Sequence, residues 1–377
     1  MAASRIEVVI LHCDQGMGTL IEIYDKNNKL SNIALFDLGS ESGTRKYSTD
    51  ALNEVTEALK KMDSAGFKPT IDLLVISHQD YDHWSLLPDL LARMQAAGFP
   101  KCAIGDIFYG GMGWKKKANA TIATYENAFR ITAEPFGKAE SDYTAKLGTA
   151  QNFYYIDDVK FHLLCANVPT AKAQDLFRNG TSAVIAVQFA GLYVIIPGDA
   201  TADTIGWINQ KIFDPWTKKG YTPVQPCRVL GAPHHGALRT IADNFVSTTR
   251  AQLTIATAFS NYVKAQNVVA SAGYESKFKH PYKSVMELLG KNAVTDMDKH
   301  DWVWYDGTTK EWERTTKSTR GIWSTVTTLD DPPNRATWSF EIKSTGETTF
   351  FLNWRHAGVT PPRGRRRERY AAVSRKR

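Results

Sequence analysis

Within six residues, His78-Gln79-Asp80-Tyr81-Asp82-His83, the chain sets two imidazoles and two carboxylates directly behind the apolar run Ile71–Ser77. Core packing has no use for that density of N and O donors. A divalent-metal centre does, because it needs several such donors converging on a small volume. Three further places repeat the arrangement of a potential ligand at the end of an apolar run. Ile196-Pro197-Gly198-Asp199 closes one run, Gly231-Ala232-Pro233-His234-His235-Gly236 closes another, and Phe36-Asp37-Leu38-Gly39 a third. Lys279-His280-Pro281 precedes an expected helix. Rigid strand ends aim side chains into one cleft, and glycine lets backbone approach closely. A carboxylate such as Asp199 has two oxygens and one charge, so it suits a position between two cations. His78, Asp80, Asp82, His83 and His234 would complete two partial ligand sets, with open positions for water or hydroxide. Taken singly, Asp199 reads as a turn residue and His280 as structural. The joint occurrence of the 78–83 cluster, Asp199 and His234-His235 at strand ends favours the metal. His12, His162 and His300 have no such context and read as structural.

The elements that must position these groups follow from hydrophobic periodicity. Ile6–Leu11, Thr19–Tyr24, Ile33–Leu38 and Ile71–Ser77 read as strands, and Ser48–Ala65 as a helix with Leu52, Val55, Leu59 and Met62 on one face. Leu86–Ala97 reads as a helix behind the metal motif. Between 100 and 150 the pattern loosens, with a helix near Ile122–Ile131. Strands resume at Phe153–Ile156, Lys160–Cys165, Ser182–Phe189, Leu192–Ile196, Cys227–Gly231 and Leu253–Thr257. Helices are expected at Ala202–Lys211, Ile241–Ser247 and Tyr282–Leu289. The Trp-rich stretch 300–354 reads as terminal strands. The expected class is α/β (α+β), two sheets packed face to face with helices outside. One domain, 1–355, would include a variable insertion or lid at 84–150 and a terminal β extension at 291–355.

Composition narrows the rest. No run reaches the length of a membrane span, and Met1–Arg5 runs into a strand-like segment without a signal-peptide core, so a cytoplasmic location is expected. Four scattered cysteines form no Cys-x-x-Cys pair, which argues against a disulfide scaffold or a zinc knuckle. The net charge of +7 is carried entirely by eight basic residues and one acid between Arg363 and Arg377. The body is formally neutral. The basic segment 356–377 reads as a disordered tail, either a solubilising one or one that contacts nucleic acid non-specifically.

The whole string of motifs resembles the ComEC-like branch of the metallo-β-lactamase superfamily, in a free-standing soluble form. Asp14-Gln15-Gly16 resembles that branch's opening turn, and Asp37-Leu38-Gly39 its Asp-x-Gly step. His78–His83 resembles its metal motif, with Asp80 at the third position. Asn179–Val184 followed by Tyr193–Ala200 resembles a strand pair ending in Gly-Asp-Ala. Pro233–Ala237 and His280-Pro281 resemble the late histidine motifs. The likeness spans residues 6–290 and implies a four-layer αββα sandwich. The chain departs from the pattern at Met17-Gly18, at Trp84-Ser85 and at Ala237, and no obvious isolated histidine between the metal motif and Asp199 stands for the extra ligand of the β-lactamases. The resemblance sets Asn179 near that place.

The chemistry expected is metal-assisted hydrolysis, in which a metal-activated hydroxide attacks a phosphorus or carbon centre with two divalent ions, zinc or manganese, as cofactors. Asp82 or Asp199 would orient the nucleophile. His280 or His235 would contact the substrate and protonate the leaving oxygen, with Asn179 also in substrate binding. The first reading is a phosphodiesterase, either a nuclease acting on DNA or an enzyme for a small cyclic nucleotide. The neutral body weakens the case for a long nucleic acid and fits a small diester as well, so it leaves the substrate's size open. The second is hydrolysis of a thioester, lactam or other carbon ester. The third is a non-catalytic, metal-stabilised module that binds through the Trp-rich region.

Overall fold

The computed structural model describes residues 2–41, 48–136, 153–168, 178–243, 252–273, 278–295, 300–327, 329, 336–353 and 370–371. Period-two alternation builds its first layer. In β1 (Arg5–Ile10), Ile6, Val8 and Ile10 face one core and Val9 the other. β2 (Gly18–Tyr24), β3 (Leu30–Leu38) and β4 (Thr70–Ile76) behave alike, and nearly every residue of β2 and β3 is buried. Strands buried on both faces read as continuous apolar runs, which is the signature of the interior sheets of a layered α/β fold.

Among the described residues, eighteen strands form two large sheets and a hairpin. The first sheet adds β5 (Ala103–Tyr109), β6 (Ala133–Pro135), β16 (Thr337–Lys343), β17 (Thr348–Asn353) and β18 (Tyr370–Ala371), in the order β18-β17-β16-β1-β2-β3-β4-β5-β6. The second runs β15-β12-β11-β10-β9-β8-β7. Its strands are β7 (Tyr154–Ile156), β8 (Val159–Cys165), β9 (Val184–Phe189), β10 (Leu192–Ile196), β11 (Cys227–Gly231), β12 (Val268–Ala270) and β15 (Ile322–Ser324). β13 (His300–Asp306) and β14 (Glu311–Ser318) form the hairpin.

Three cores separate four layers. Between the sheets, Ile6, Val8, Phe36, Leu73 and Val75 meet Phe161, Ile185, Val187, Val194 and Ile196. Outside the first sheet lie α1 (Thr49–Ser64), α3 (Leu87–Met94) and α4 (Lys116–Phe129), beyond the single turn α2 (Tyr81–Trp84). Outside the second lie the helical run 202–218, the helix Thr254–Val263 and the helix Lys283–Leu289. The arrangement is the αββα layering expected. Within 202–218, five residues, Asn209–Phe213, form a π turn between two α segments.

Three expectations change. Leu253–Thr257 is the start of a helix, not a strand. Its buried face, Ala256, Phe259, Ser260 and Val263, has helical spacing that a five-residue apolar window cannot reveal. The loose region after 100 contains β5, paired in parallel with β4 along its length. Gly105 and Asp106 hide that strand from propensity, and Gly105 is required because a Cβ there would lie 2.3 Å from the Asp72 carbonyl oxygen. Accordingly residues 87–136 of the expected insertion supply sheet and helical layer, whereas 137–150 lie outside the described residues. The helix expected at Ile241–Ser247 is the short turn Leu238–Ile241, and 244–250 lie outside.

Trp302, Trp304, Trp323 and Trp338 are all buried in the cores, so they form no binding surface. Trp354 and most of the basic segment 356–377 lie outside the described residues. Among those described, no helix is long and apolar enough to cross a membrane.

Candidate metal centre

Two parallel strand pairs deliver the candidate ligands. β3 pairs with β4 in the first sheet, and β10 with β11 in the second. Parallel partners end on the same side, so Asp37 and the 78–83 segment emerge together from one sheet. Asp199 and His234-His235 emerge together from the other.

Glycines close the gap. A Cβ on Gly39 would lie 2.3 Å from the carbonyl carbon of Asp82, and one on Gly198 would lie 2.7 Å from Ser77 Cβ. Met17 N–H donates to the Asp82 carbonyl (3.0 Å) while its own carbonyl accepts from Gly39 N–H (3.1 Å), which gives the divergent Met17-Gly18 turn a fastening role. Gly39→Ala is expected to destabilise the fold by about 1–3 kcal/mol, because the obstacle is backbone rather than a mobile side chain. Denaturant titration checks this, and an unchanged midpoint contradicts it.

Asp199 stands at the centre, 2% exposed. Its Oδ1 lies 3.1 Å from His83 Nε2 and 3.6 Å from His235 Nε2. Its Oδ2 lies 3.3 Å from His234 Nε2 and 3.8 Å from His78 Nε2. On the first side, Asp82 Oδ2 approaches His235 Nε2 at 3.4 Å, and on the second, Asp80 Oδ2 approaches His78 Nε2 at 3.8 Å. One carboxylate therefore faces two sets of donors.

Each of these four imidazoles has its other nitrogen tied back. His83 Nδ1 donates to Asp37 Oδ2 (2.8 Å) and His235 Nδ1 to the Ser271 carbonyl (2.7 Å). His78 Nδ1 lies 3.1 Å from Ser77 Oγ, which itself donates to Asp37 Oδ2 (2.7 Å), and His234 Nδ1 lies 2.6 Å from Thr240 Oγ1. A proton held on Nδ1 leaves the Nε2 lone pair facing inward, which is how metal-binding histidines are oriented.

The consequence is electrostatic. The Nε2 atoms of His78, His83 and His235 and Oδ1 of Asp199 are buried without a hydrogen bond. Lone pairs that face a carboxylate at 3–4 Å need positive charge between them, supplied by protons or by a cation. Burial opposes ionisation of Asp199, yet the imidazoles of His234, His83 and His235 hold its carboxyl well below the usual carboxylate range. Burial likewise opposes ionisation of Asp82, but contact with His235 and the neighbouring His83 bring its pKa down to about 2. Burial disfavours the charged forms of His83 and His235, and the surrounding carboxylates outweigh it and push both up. His234 and His280 go down because burial dominates, as neutral lone-pair donors require. The cluster thus calls for positive charge on the His83–His235 side, and a divalent ion meets that demand with the same atoms. His78, His83 and Asp199 bring one ligand atom each within 4.8 Å of one another, and Asp82, His83 and His235 do the same. The donor set fits divalent metal.

Sequence reasoning gave His234 to the metal and His235 to the substrate. In the structure both face Asp199, and His235 is the deeper, 1% exposed. Both carry positive φ, 45° and 55°, a left-handed conformation uncommon for residues other than glycine. His280 stands further out, its ring 5.7 Å from that of His234 and stacked at 6.3 Å on that of His235. Asn179 Nδ2 lies 3.3 Å from the His234 ring. His12, His162 and His300 pair elsewhere, with Asp14, Gln188 and the Ile322 carbonyl. Sequence reasoning missed Ser77, Thr240 and Ser271 as orienting groups and noted Asp37 only as a strand end. It also missed Arg178, whose Nη1 lies 3.1 Å from Asp80 Oδ1. Ser77 abuts the motif and could have been found from that position. Thr240 and Ser271 carry no local signal.

No family model and no curated protein matches the chain. Two of the solved structures with some likeness to the chain are these. The metallo-β-lactamase fold protein YhfI from Bacillus subtilis shares 11% identity at a TM-score of 0.40, over 76% of this chain and 93% of that one. A protein from Parabacteroides distasonis, described as a metal-dependent hydrolase, shares 11% identity at a TM-score of 0.36, over 77% of this chain and 91% of that one. At these values the likeness assigns neither a family nor an activity.

Proposed function

We propose that the chain is a metal-dependent hydrolase of the metallo-β-lactamase type, acting on a phosphodiester. The observation that carries this reading is the two-sided environment of Asp199, with tied-back imidazoles on both sides and orphaned lone pairs aimed inward. His78, Asp80, His234 and Asp199 would hold one cation, and Asp82, His83, His235 and Asp199 the other. Divalent ions bound there supply Lewis acidity and a water whose pKa is brought to about 7. The carboxylate of Asp82, ionised at neutral pH, accepts a hydrogen bond from the attacking water and orients it. His280 and Asn179 line the outer side, where the neutral imidazole of His280 can donate a hydrogen bond to the leaving oxygen through its remaining N–H. Oxygen donors at Asp80, Asp82 and Asp199 suit manganese as well as zinc.

The test is turnover of bis-p-nitrophenyl phosphate and of single-stranded DNA by the metal-loaded chain, beside Asp82→Ala. The expected result is diester cleavage that the variant loses by about two to four powers of ten. Cleavage of a thioester or lactam with no action on either diester would replace the reading with that of a carbon-ester hydrolase.

A further inference from the structure

Arg178 stands beside the candidate centre with no assigned work. Its Nη1 lies 3.1 Å from Asp80 Oδ1. Neither that oxygen nor Arg178 Nε makes a hydrogen bond, although both are buried. The guanidinium thus lends its charge to Asp80 without aligning an N–H on it. Five N–H donors in a fixed fork are an uncommon thing to leave unused on a side chain only 28% exposed. The backbone beneath is fixed, because the Arg178 carbonyl accepts from both Thr181 N–H (3.2 Å) and Thr181 Oγ1 (2.8 Å). Thr181 Oγ1 in turn accepts from Met112 N–H (3.1 Å), on the loop that also accepts from Gln79 Nε2 (2.7 Å). The guanidinium thus extends from a fixed backbone and is partly withdrawn from water, and among the described residues Arg178 is the only Arg or Lys paired with a carboxylate of the centre.

We infer that Arg178 binds an anionic oxygen of the substrate, a phosphoryl oxygen presented to the Asp80 side of the centre. A planar fork matches two oxygens of a phosphoryl group, and a partly desolvated, charge-assisted pair is strong. The inference rests on the hydrolase reading for its catalytic arm but not for its binding arm.

The experiment compares wild type, Arg178→Ala and Arg178→Lys, each loaded with zinc or manganese and assayed for metal content. For bis-p-nitrophenyl phosphate, Arg178→Ala is expected to raise KM by about 10–100-fold, the size of a lost charged hydrogen bond. The ratio of kcat/KM for this diester to that for neutral p-nitrophenyl acetate should fall at least about tenfold, and Arg178→Lys should restore part of it. Equal losses on the anionic and neutral esters, with metal lost as well, would show that Arg178 only holds Asp80 and would overturn the inference. So would no change on either. Should neither ester be turned over, the hydrolase reading fails, and calorimetry with inorganic phosphate decides the rest. Binding about tenfold weaker in Arg178→Ala supports the inference, whereas equal binding, or none by wild type, overturns it.

Discussion

Asp199→Asn is expected to lower phosphodiester hydrolysis at least about a thousandfold while leaving the layered fold intact. The carboxylate faces both donor sets, with Oδ1 toward His83 and His235 and Oδ2 toward His234 and His78. An amide has one acceptor oxygen and no charge. Its NH2 would present hydrogens to one of the two sets, where a cation needs an oxygen. The lost charge stabilisation is several kcal/mol, and each 1.36 kcal/mol is a factor of ten in rate. Steady-state kinetics and metal analysis on the same samples, with circular dichroism as a fold control, check this. A variant that keeps both its rate and its metal would refute the bridging role.

The second large effect is expected one shell further out. Asp37 accepts from His83 Nδ1 and Ser77 Oγ through Oδ2, and from Ser77 N–H through Oδ1 (2.7 Å). In Asp37→Asn the NH2 must meet a donor whichever way the amide turns. If it faces Ser77 N–H, a buried donor loses its acceptor. If it faces His83, the imidazole proton must move to Nε2, which places an N–H where a metal needs a lone pair. Metal affinity should fall about 10–100-fold, as for other partners of metal-binding histidines. Folding stability should fall by about 1–3 kcal/mol. Aspartate and asparagine both tolerate the positive φ of 53° at this position, so backbone strain does not confound the comparison. Competition against a chromophoric chelator gives the affinity, and nitrogen chemical shifts of the His83 ring give the tautomer. Unchanged affinity with an unchanged tautomer would remove Asp37 from the account.

Much of this was legible in the sequence because it is local. The 78–83 cluster, the Gly198-Asp199 turn and the paired histidines after Pro233 each announce themselves within a few residues, next to apolar runs whose period sets them at strand ends. The layering was legible for the same reason, since the strands carry short apolar runs such as Leu20-Ile21 in β2 and Ile33–Phe36 in β3. What escaped was relational. Ser271 orients His235 from 36 residues away, and Arg178 meets Asp80 across the site. No spacing encodes such contacts. β5 escaped because Gly105 makes room for the Asp72 carbonyl of β4, and Asp106, which accepts from Tyr154 Oη (2.7 Å), is a poor strand former. The roles of His234 and His235 could not be separated by composition, because two adjacent imidazoles differ only in how a left-handed turn aims them.

The central claim is that Asp199 joins two cation sites. It is tested most directly by elemental analysis of the purified chain, loaded with zinc or manganese and dialysed against metal-free buffer, beside Asp199→Asn. Two equivalents of divalent metal per chain are expected in the wild type and a clear loss in the variant. A wild-type chain that retains no divalent metal, or a variant that retains as much as wild type, would contradict it.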